Sequence, residues 1–254
     1  MEKNPIDRRT SGQALIVSAL VIAMLLLSTA YYVFEIQRNV SQSEVTADFD
    51  LKTIKLAAAN TILSALANFT NGGQREVLTL DLDKLSTVIE NRFYHGQCHF
   101  QFTPVDMLPY QDGFYASWES SGVGISSADV NFTVSFSGST ASYYSEFECN
   151  ITTLLILDGT YANNGTEKTV NVTYTLYNEN EPALVNDVAL FYQNEANGSW
   201  TIVDSSNSLH LSDYGNGTYL ASFNVNAQDF LQVSVDVHDS RDIFIVANAT
   251  CRGV

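Results

Sequence analysis

The chain is short of the residues that punctuate or cross-link a fold: among 254 residues there are four Pro, 14 Gly, three Cys and two Trp. Three cysteines are too few for a disulfide-stapled scaffold, and an odd number cannot all pair within one chain. Basic residues are scarce, with 12 Lys and Arg against 28 Asp and Glu for a net charge of −16, so nucleic acid is excluded as a partner. There is no HExxH, no EF-hand loop and no Gly-rich phosphate loop; no metal, cofactor, catalytic residue or small-molecule substrate is expected, and the chain reads as a non-enzyme. Charge, Pro and Gly are all missing from residues 14–34, ALIVSALVIAMLLLSTAYYVF.

That run of 21 residues spans roughly 31 Å as a helix, about the hydrocarbon thickness of a bilayer, and predicts one transmembrane helix over 14–34. Residues 1–13 carry Lys3, Arg8 and Arg9, whereas 26 of the 28 acidic residues follow the run. This asymmetry places the short basic end in the cytoplasm and the rest outside, as a single-pass cell-membrane protein with an extracellular C-terminal ectodomain. A signal anchor is one reading of the run and a cleaved secretory signal another, with Ser28 and Ala30 as its small-x-small site and Tyr31 as the mature start. Nine Asn in N-x-Ser/Thr sequons all lie beyond the run: Asn39, Asn68, Asn131, Asn150, Asn164, Asn171, Asn197, Asn216 and Asn248. Their one-sided placement predicts a glycosylated ectodomain.

No Pro or Gly interrupts residues 14–70, so the span is expected to run into an amphipathic stalk helix over 35–72, unless the capping box Ser41…Glu44 starts a separate helix. Leu51, Ile54, Ala58, Ile62, Ala65, Leu66 and Phe69 recur at helical spacing, and Asn71-Gly72-Gly73 supplies the stop. Residues 73–145 predict an α+β head: a short helix marked by Leu82, Leu85, Ile89 and Phe93, then strands at Cys98–Phe102, Phe114–Glu119 and Val130–Phe136. Over 146–254 faultless alternation, as in Val170, Val172, Tyr174 and Leu176 or Leu231, Val233, Val235 and Val237, predicts half-buried strands. With Ile151–Leu157, Val188–Tyr192, Trp200–Val203, Tyr219–Val225 and Ile243–Ala249 they make seven, the spacing of a β-sandwich. The fold class expected is mainly β with an N-terminal helix.

Two stretches resemble known families. Basic residues, then Ser11-Gly12-Gln13, then the apolar helix resemble the class III signal of archaeal type IV pilins. That resemblance implies a peptidase cut before Gln13 that leaves the helix on the mature protein, and a helix-then-sheet head. Val17 stands where the family usually has a glutamate, which is more similar to a minor or divergent pilin than to a main filament subunit. The run Asp213-Tyr-Gly-Asn-Gly-Thr-Tyr219 resembles the strand entry of filamin-type and bacterial or archaeal immunoglobulin-like repeats. This implies a seven-stranded immunoglobulin-like sandwich, with Gly215 and Gly217 in the turn and Tyr219, Ala221 and Phe223 facing inward.

In such a sandwich the first and last strands run parallel when they pair, which sets Cys149 and Cys251 a strand length apart. Cys98 is then expected to bridge to Cys149 or Cys251, the alternative being three reduced core cysteines. His95, Cys98 and His99 are not expected to form a metal site, because Cys98 and His99 of one strand face opposite sides. His238-Asp239-Ser240 has the letters of a triad in a sequence arrangement that triads seldom use. Asp81 and Asp83 suit a helix start. Together these features imply a structural or adhesive surface protein, possible partners being the membrane and other surface or pilus subunits. The alternative is a membrane-tethered solute-binding or sensor ectodomain serving a transporter or receptor. An apolar helix stripe left open to neighbours favours the first, an aromatic-lined concavity with polar groups the second.

Overall fold

The computed structural model describes residues 6–92, 96–118, 121–138, 142–164, 167–194, 198–226 and 231–254, with side chains for all of these except 6–18, 21, 36–50, 96, 138, 164 and 194. Helix α1 (Ile6–Thr70) is continuous over 65 residues, about 98 Å at 1.5 Å per residue. It ends where expected: Gly72 has φ +93° and the Gly73 amide donates to the Asn68 carbonyl. Among the described residues no helix is long and apolar enough to cross a membrane. The expected span begins in residues 14–18, whose side chains lie outside the description, as do those of Gly12 and Gln13.

Helix α2 (Val77–Arg92) folds back against α1. Behind the two helices stand β1 (Gly96–Pro104), β2 (Phe114–Trp118), β3 (Val123–Gly138) and the first half of β4 (Ser142–Asn164). The period-3.6 row Leu51, Ile54, Ala58, Ile62, Ala65 and Leu66 is buried in one core with Leu78 and Leu82 of α2 and Phe100, Val130, Phe132 and Val134 of the sheet. Ala58 and Ala65 let the helix approach, and Phe100, Phe132 and Phe147 pack as a row of rings 4.9–5.4 Å apart. The second half of α1 from Leu51 is therefore held by its own head, whereas the described side chains of residues 19–35 belong to neither core.

Strand β4 is the backbone of the molecule. Its 23 residues pair with β3 from Ser142 to Ile156 and with β5 (Glu167–Asn178) from Thr153 to Asn164. Residue 145, the expected edge of the head, lies inside it. The sheet continues through β10 (Thr218–Val225) to β9 (His210–Asp213), with short β6 (Glu181–Pro182) on β5. A second sheet has the order β12-β11-β7-β8: β7 is Val185–Asn194, β8 Ser199–Ile202, β11 Gln232–Asp239 and β12 Phe244–Thr250. The last strand, β13 (Arg252–Gly253), runs parallel to β4; all other pairings are antiparallel.

The two sheets share a second core in which the expected alternation is realised: Val170, Val172, Tyr174 and Leu176 face Val233, Val235 and Val237. Tyr219, Ala221 and Phe223 form the inward row after the Gly215–Gly217 turn, where φ is +71° and +78° at the two glycines. A Cβ at Gly217 would stand 3.0 Å from backbone atoms of Ala183 and Leu176, so its lack of a side chain is required twice over. The chain is thus mainly β, with helices at its N-terminal end. Each of the seven expected segments overlaps a strand, with Val203, Leu231 and Ile243 just outside theirs, while β6, β9 and β13 are additions.

No disulfide joins the cysteines. The expected bridge from Cys98 to Cys149 or Cys251 is not formed, and the strand order gives the reason. Strand β3 lies between Cys98, opposite Phe136, and Cys149, opposite Val130. Six residues along the strands and two strand spacings put the pair about 22 Å apart, against a limit of about 7 Å. Cys251 is buried in the other core beside Gly159, roughly ten residues along β4 from Cys149. Burial, with Asp158 adding to it, pushes the Cys251 thiol up to about 12, so it stays a neutral packing group.

Candidate functional site

Two places distinguish this molecule: the open half of α1 and the joint between the cores. In the open half, Leu20, Ile22, Met24, Leu25, Leu26, Leu27, Tyr31, Tyr32, Val33 and Phe34 are each 53–71% exposed. A helix apolar on every face has no aqueous side to present. Ser28 and Thr29, the polar residues within it, return their hydroxyls to the Leu25 and Leu26 carbonyls at 3.0 Å. These back-bonds satisfy the hydroxyls within the helix itself, as Thr87 of α2 does with the Asp83 carbonyl.

The joint is built on the turn between β11 and β12. Asp239, fully buried, accepts the backbone amides of Arg241 at 2.8 Å and Ile243 at 2.9 Å on Oδ1, and Nε of Arg241 at 2.9 Å on Oδ2. The Arg241 guanidinium reaches onward to both Glu179 oxygens at 2.8 Å and to the Thr153 hydroxyl at 2.9 Å. Glu179, at the β5–β6 turn, in turn accepts the Thr152 amide of β4 at 3.0 Å. Strands β11 and β4 and the β5–β6 turn are thereby tied to one cation. The turn carries Ile243 into the head core, although its neighbour Ile245 belongs to the other core.

The same turn is bolted to the end of α1. Asn71 donates Nδ2 to the Asp242 carbonyl and meets Nε2 of His238 with Oδ1, both at 2.9 Å, while the Thr70 hydroxyl accepts the Phe244 amide at 3.1 Å. On the sheet side, the Trp118 indole stands edge-on to Phe244 at 5.3 Å and donates to Ser126, which donates to the Phe244 carbonyl. Gly124 lets β12 lie on β3 at backbone contact, since a Cβ there would be 2.2 Å from the Val246 carbonyl oxygen. The Thr153 hydroxyl also donates to Asp239 Oδ2 at 3.3 Å, so these bonds link the outer sheets to the end of the helix.

The other sequence candidates separate. His238, Asp239 and Ser240 are not a triad: His238 goes to Asn71 and Asp239 to Arg241, while Ser240 is exposed. Cys98 is buried and His99 exposed, on opposite faces of β1; His95 lies outside the described residues. Among the described residues no three His, Cys, Asp or Glu converge as a metal site. Asp81 pairs with Lys84 at 2.7 Å. The joint was not foreseen, yet one signal pointed to it: after Arg92 the chain has only three cations, Lys168, Arg241 and Arg252. Each is engaged, Lys168 over the Tyr161 ring at 4.3 Å and Arg252 on Asp158 at 2.8 Å.

Of the nine sequons, Asn197 and the side chains of Asn39 and Asn164 lie outside the description. Asn68, Asn131, Asn150 and Asn216 are exposed; Asn171 and Asn248 are half-buried. Asn150 is exposed but occupied, its Nδ2 donating to Tyr110 Oη at 2.9 Å and to Asp129 Oδ2 at 3.0 Å. Nδ2 is the atom a glycan joins, and its loss would leave the buried Asp129 carboxylate without that donor. Glycopeptide mapping of the chain from its own host is expected to find sugar on Asn131 and Asn216 and none on Asn150. Full occupancy of Asn150 would show that the Tyr110–Asn150–Asp129 network does not form. No protein-family model matches the chain, and no curated protein matches its sequence.

Proposed function

We propose that the chain is a membrane-anchored, glycosylated cell-surface protein with a structural or adhesive role, pilin-like in plan. The observation that carries this reading is the division of α1: its second half is packed on a β-sheet head, and residues 20–34 extend beyond it with every described apolar side chain open. A bilayer is the solvent that suits such a surface, and a neighbouring helix the alternative. The basic N-terminus then lies in the cytoplasm, and the acidic head and two-sheet body lie outside. The parallel pairing of β13 with β4 at the edge of the larger sheet, which shares a core with the four-stranded one, supports an immunoglobulin-like sandwich for that body. The joint holds it outward on the helix as one rigid unit.

Sequencing the mature N-terminus tests the pilin-like part. A start at Gln13 supports processing by a pilin-type peptidase; an intact N-terminus supports a simple anchor, and a start at Tyr31 refutes both. Val17 puts no carboxylate near the mature end, so a minor or capping component is expected; filaments made mainly of this chain would refute that role. A second reading, a ligand-binding ectodomain, is favoured by one observation, an aromatic-lined concavity on the four-stranded sheet.

A further inference from the structure

The outer face of the four-stranded sheet is not the polar surface that alternation alone would leave. Val233, Val235, Val237, Ile245 and Ala247 point into the core, and the residues between them form the outer rows. One row crosses all four strands as Ile202, Phe191, Ser234 and Asn248, each opposite the next. Trp200, Phe191, Ser234, Asp236, Val246 and Asn248 line a concavity of about 270 Å³ on this face. Trp200 is 43% exposed, a large indole left open to solvent beside a half-buried carboxylate. The Ser234 hydroxyl donates to Asp236 Oδ1 at 3.1 Å, orienting that carboxylate, and burial raises the pKa of Asp236.

The lining selects a ligand by chemistry. It contains no Lys, Arg or His, so phosphate, sulfate and carboxylate ligands find no counter-charge. A purely apolar ligand would strip water from Asp236, leaving it only the Ser234 hydroxyl, and from Asn248, whose Nδ2 has only a 3.5 Å contact to the Trp118 carbonyl. A peptide strand needs a sheet edge for its hydrogen bonds, and this is a face. The volume lies just under the roughly 300–1,000 Å³ of sites for drug-sized ligands, which leaves room for about one ring. Aromatic plates next to a carboxylate, an amide and a hydroxyl suit a small neutral molecule with one apolar face and several hydroxyls.

We propose that this concavity holds a neutral sugar ring, its C–H face on Trp200 and Phe191 and its hydroxyls on Asp236, Ser234 and Asn248. The inference rests on the surface location proposed above, since it is there that the chain meets glycans. Asn248 is itself a sequon, so the ring has two sources: the first sugar of a glycan on Asn248, or a sugar from another surface.

The test uses the full chain purified in a detergent without a sugar headgroup, by glycopeptide mapping of Asn248 and saturation-transfer NMR with a panel of neutral hexose and N-acetylhexosamine oligosaccharides. If Asn248 is modified, nuclear Overhauser contacts between its first sugar and the Trp200 ring are expected, which identifies the chain's own glycan as the source. If Asn248 is bare, binding of at least one panel member is expected, weakened about tenfold or more by Trp200→Ala and by the isosteric Asp236→Asn. Tyr214→Ala, an aromatic of 61% exposure outside the concavity, should leave binding unchanged. A modified Asn248 without contact to Trp200, a bare Asn248 with no panel member bound, or binding indifferent to both variants overturns the proposal. Because the assay is done on purified chain, its failure leaves the surface location standing, and a chain found inside the cell would sink that reading without deciding this one.

Discussion

Replacing Leu25 and Leu26 together by Arg is expected to release the chain from membranes. Each Arg at the middle of a span costs about 2.5–3.5 kcal/mol on the insertion scale, some 5–7 kcal/mol for the pair. The eleven Leu, Ile, Val and Phe residues of 14–34 return only about 3–7 kcal/mol at roughly 0.3–0.6 each. The double change therefore cancels the drive for insertion. Both side chains are 60–65% exposed and touch neither core, so the head and the outer sheets should fold as before. Carbonate-washed membranes are expected to retain nearly all of the wild type and about a tenth or less of the variant. Leu56→Arg, at an exposed site on the part of α1 that lies on the head, is the control and should stay with the membrane. Equal retention of all three chains would mean that residues 20–34 are not what holds the protein there.

Arg241→Met is expected to be the most damaging single change in the ectodomain. The Arg241 side chain is 19% exposed and is the cation for Asp239, which is 0% exposed. Removing one member of a buried ion pair costs about 3–5 kcal/mol, because the remaining charge is left without compensation. The backbone amides of Arg241 and Ile243 still reach Asp239 Oδ1, which sets the expectation near the lower end. Glu179→Gln, at the exposed end of the same network, should cost about 1 kcal/mol or less. Denaturant unfolding of detergent-solubilised chain measures both, and the Arg241 variant is expected to show two transitions as the cores come apart. Similar small losses for both variants would show that the joint does not couple them.

Where the physical signal was local, the chain was legible. The uninterrupted stretch from Ala14 to Thr70 predicted a helix, and the period-2 rows at Val170–Leu176 and Leu231–Val237 predicted strands that β5 and β11 realise. Features made by distant partners were not. The length of β4 was hidden because Ser142–Glu148 is mostly polar outside the core and alternates only weakly there. The alternation expected for Val130–Phe136 is lost before Val130, whereas β3 begins at Val123 and Gly124 is bare because a carbonyl of β12 fills the space of a side chain. Arg241 and Glu179 are 62 residues apart, so their pairing left no periodic trace. The cysteine expectation failed for the same reason, since it depended on which strand lies beside β1. Strand β3 takes that place.

The central claim is that a membrane helix carries an outward-facing body, and protease added to intact cells tests it most directly. The account predicts that everything beyond Glu35 is degraded from outside, while an epitope placed ahead of residue 14 is spared until the membrane is opened. Recovery of the whole chain, intact and in the soluble cytoplasmic fraction, would contradict it.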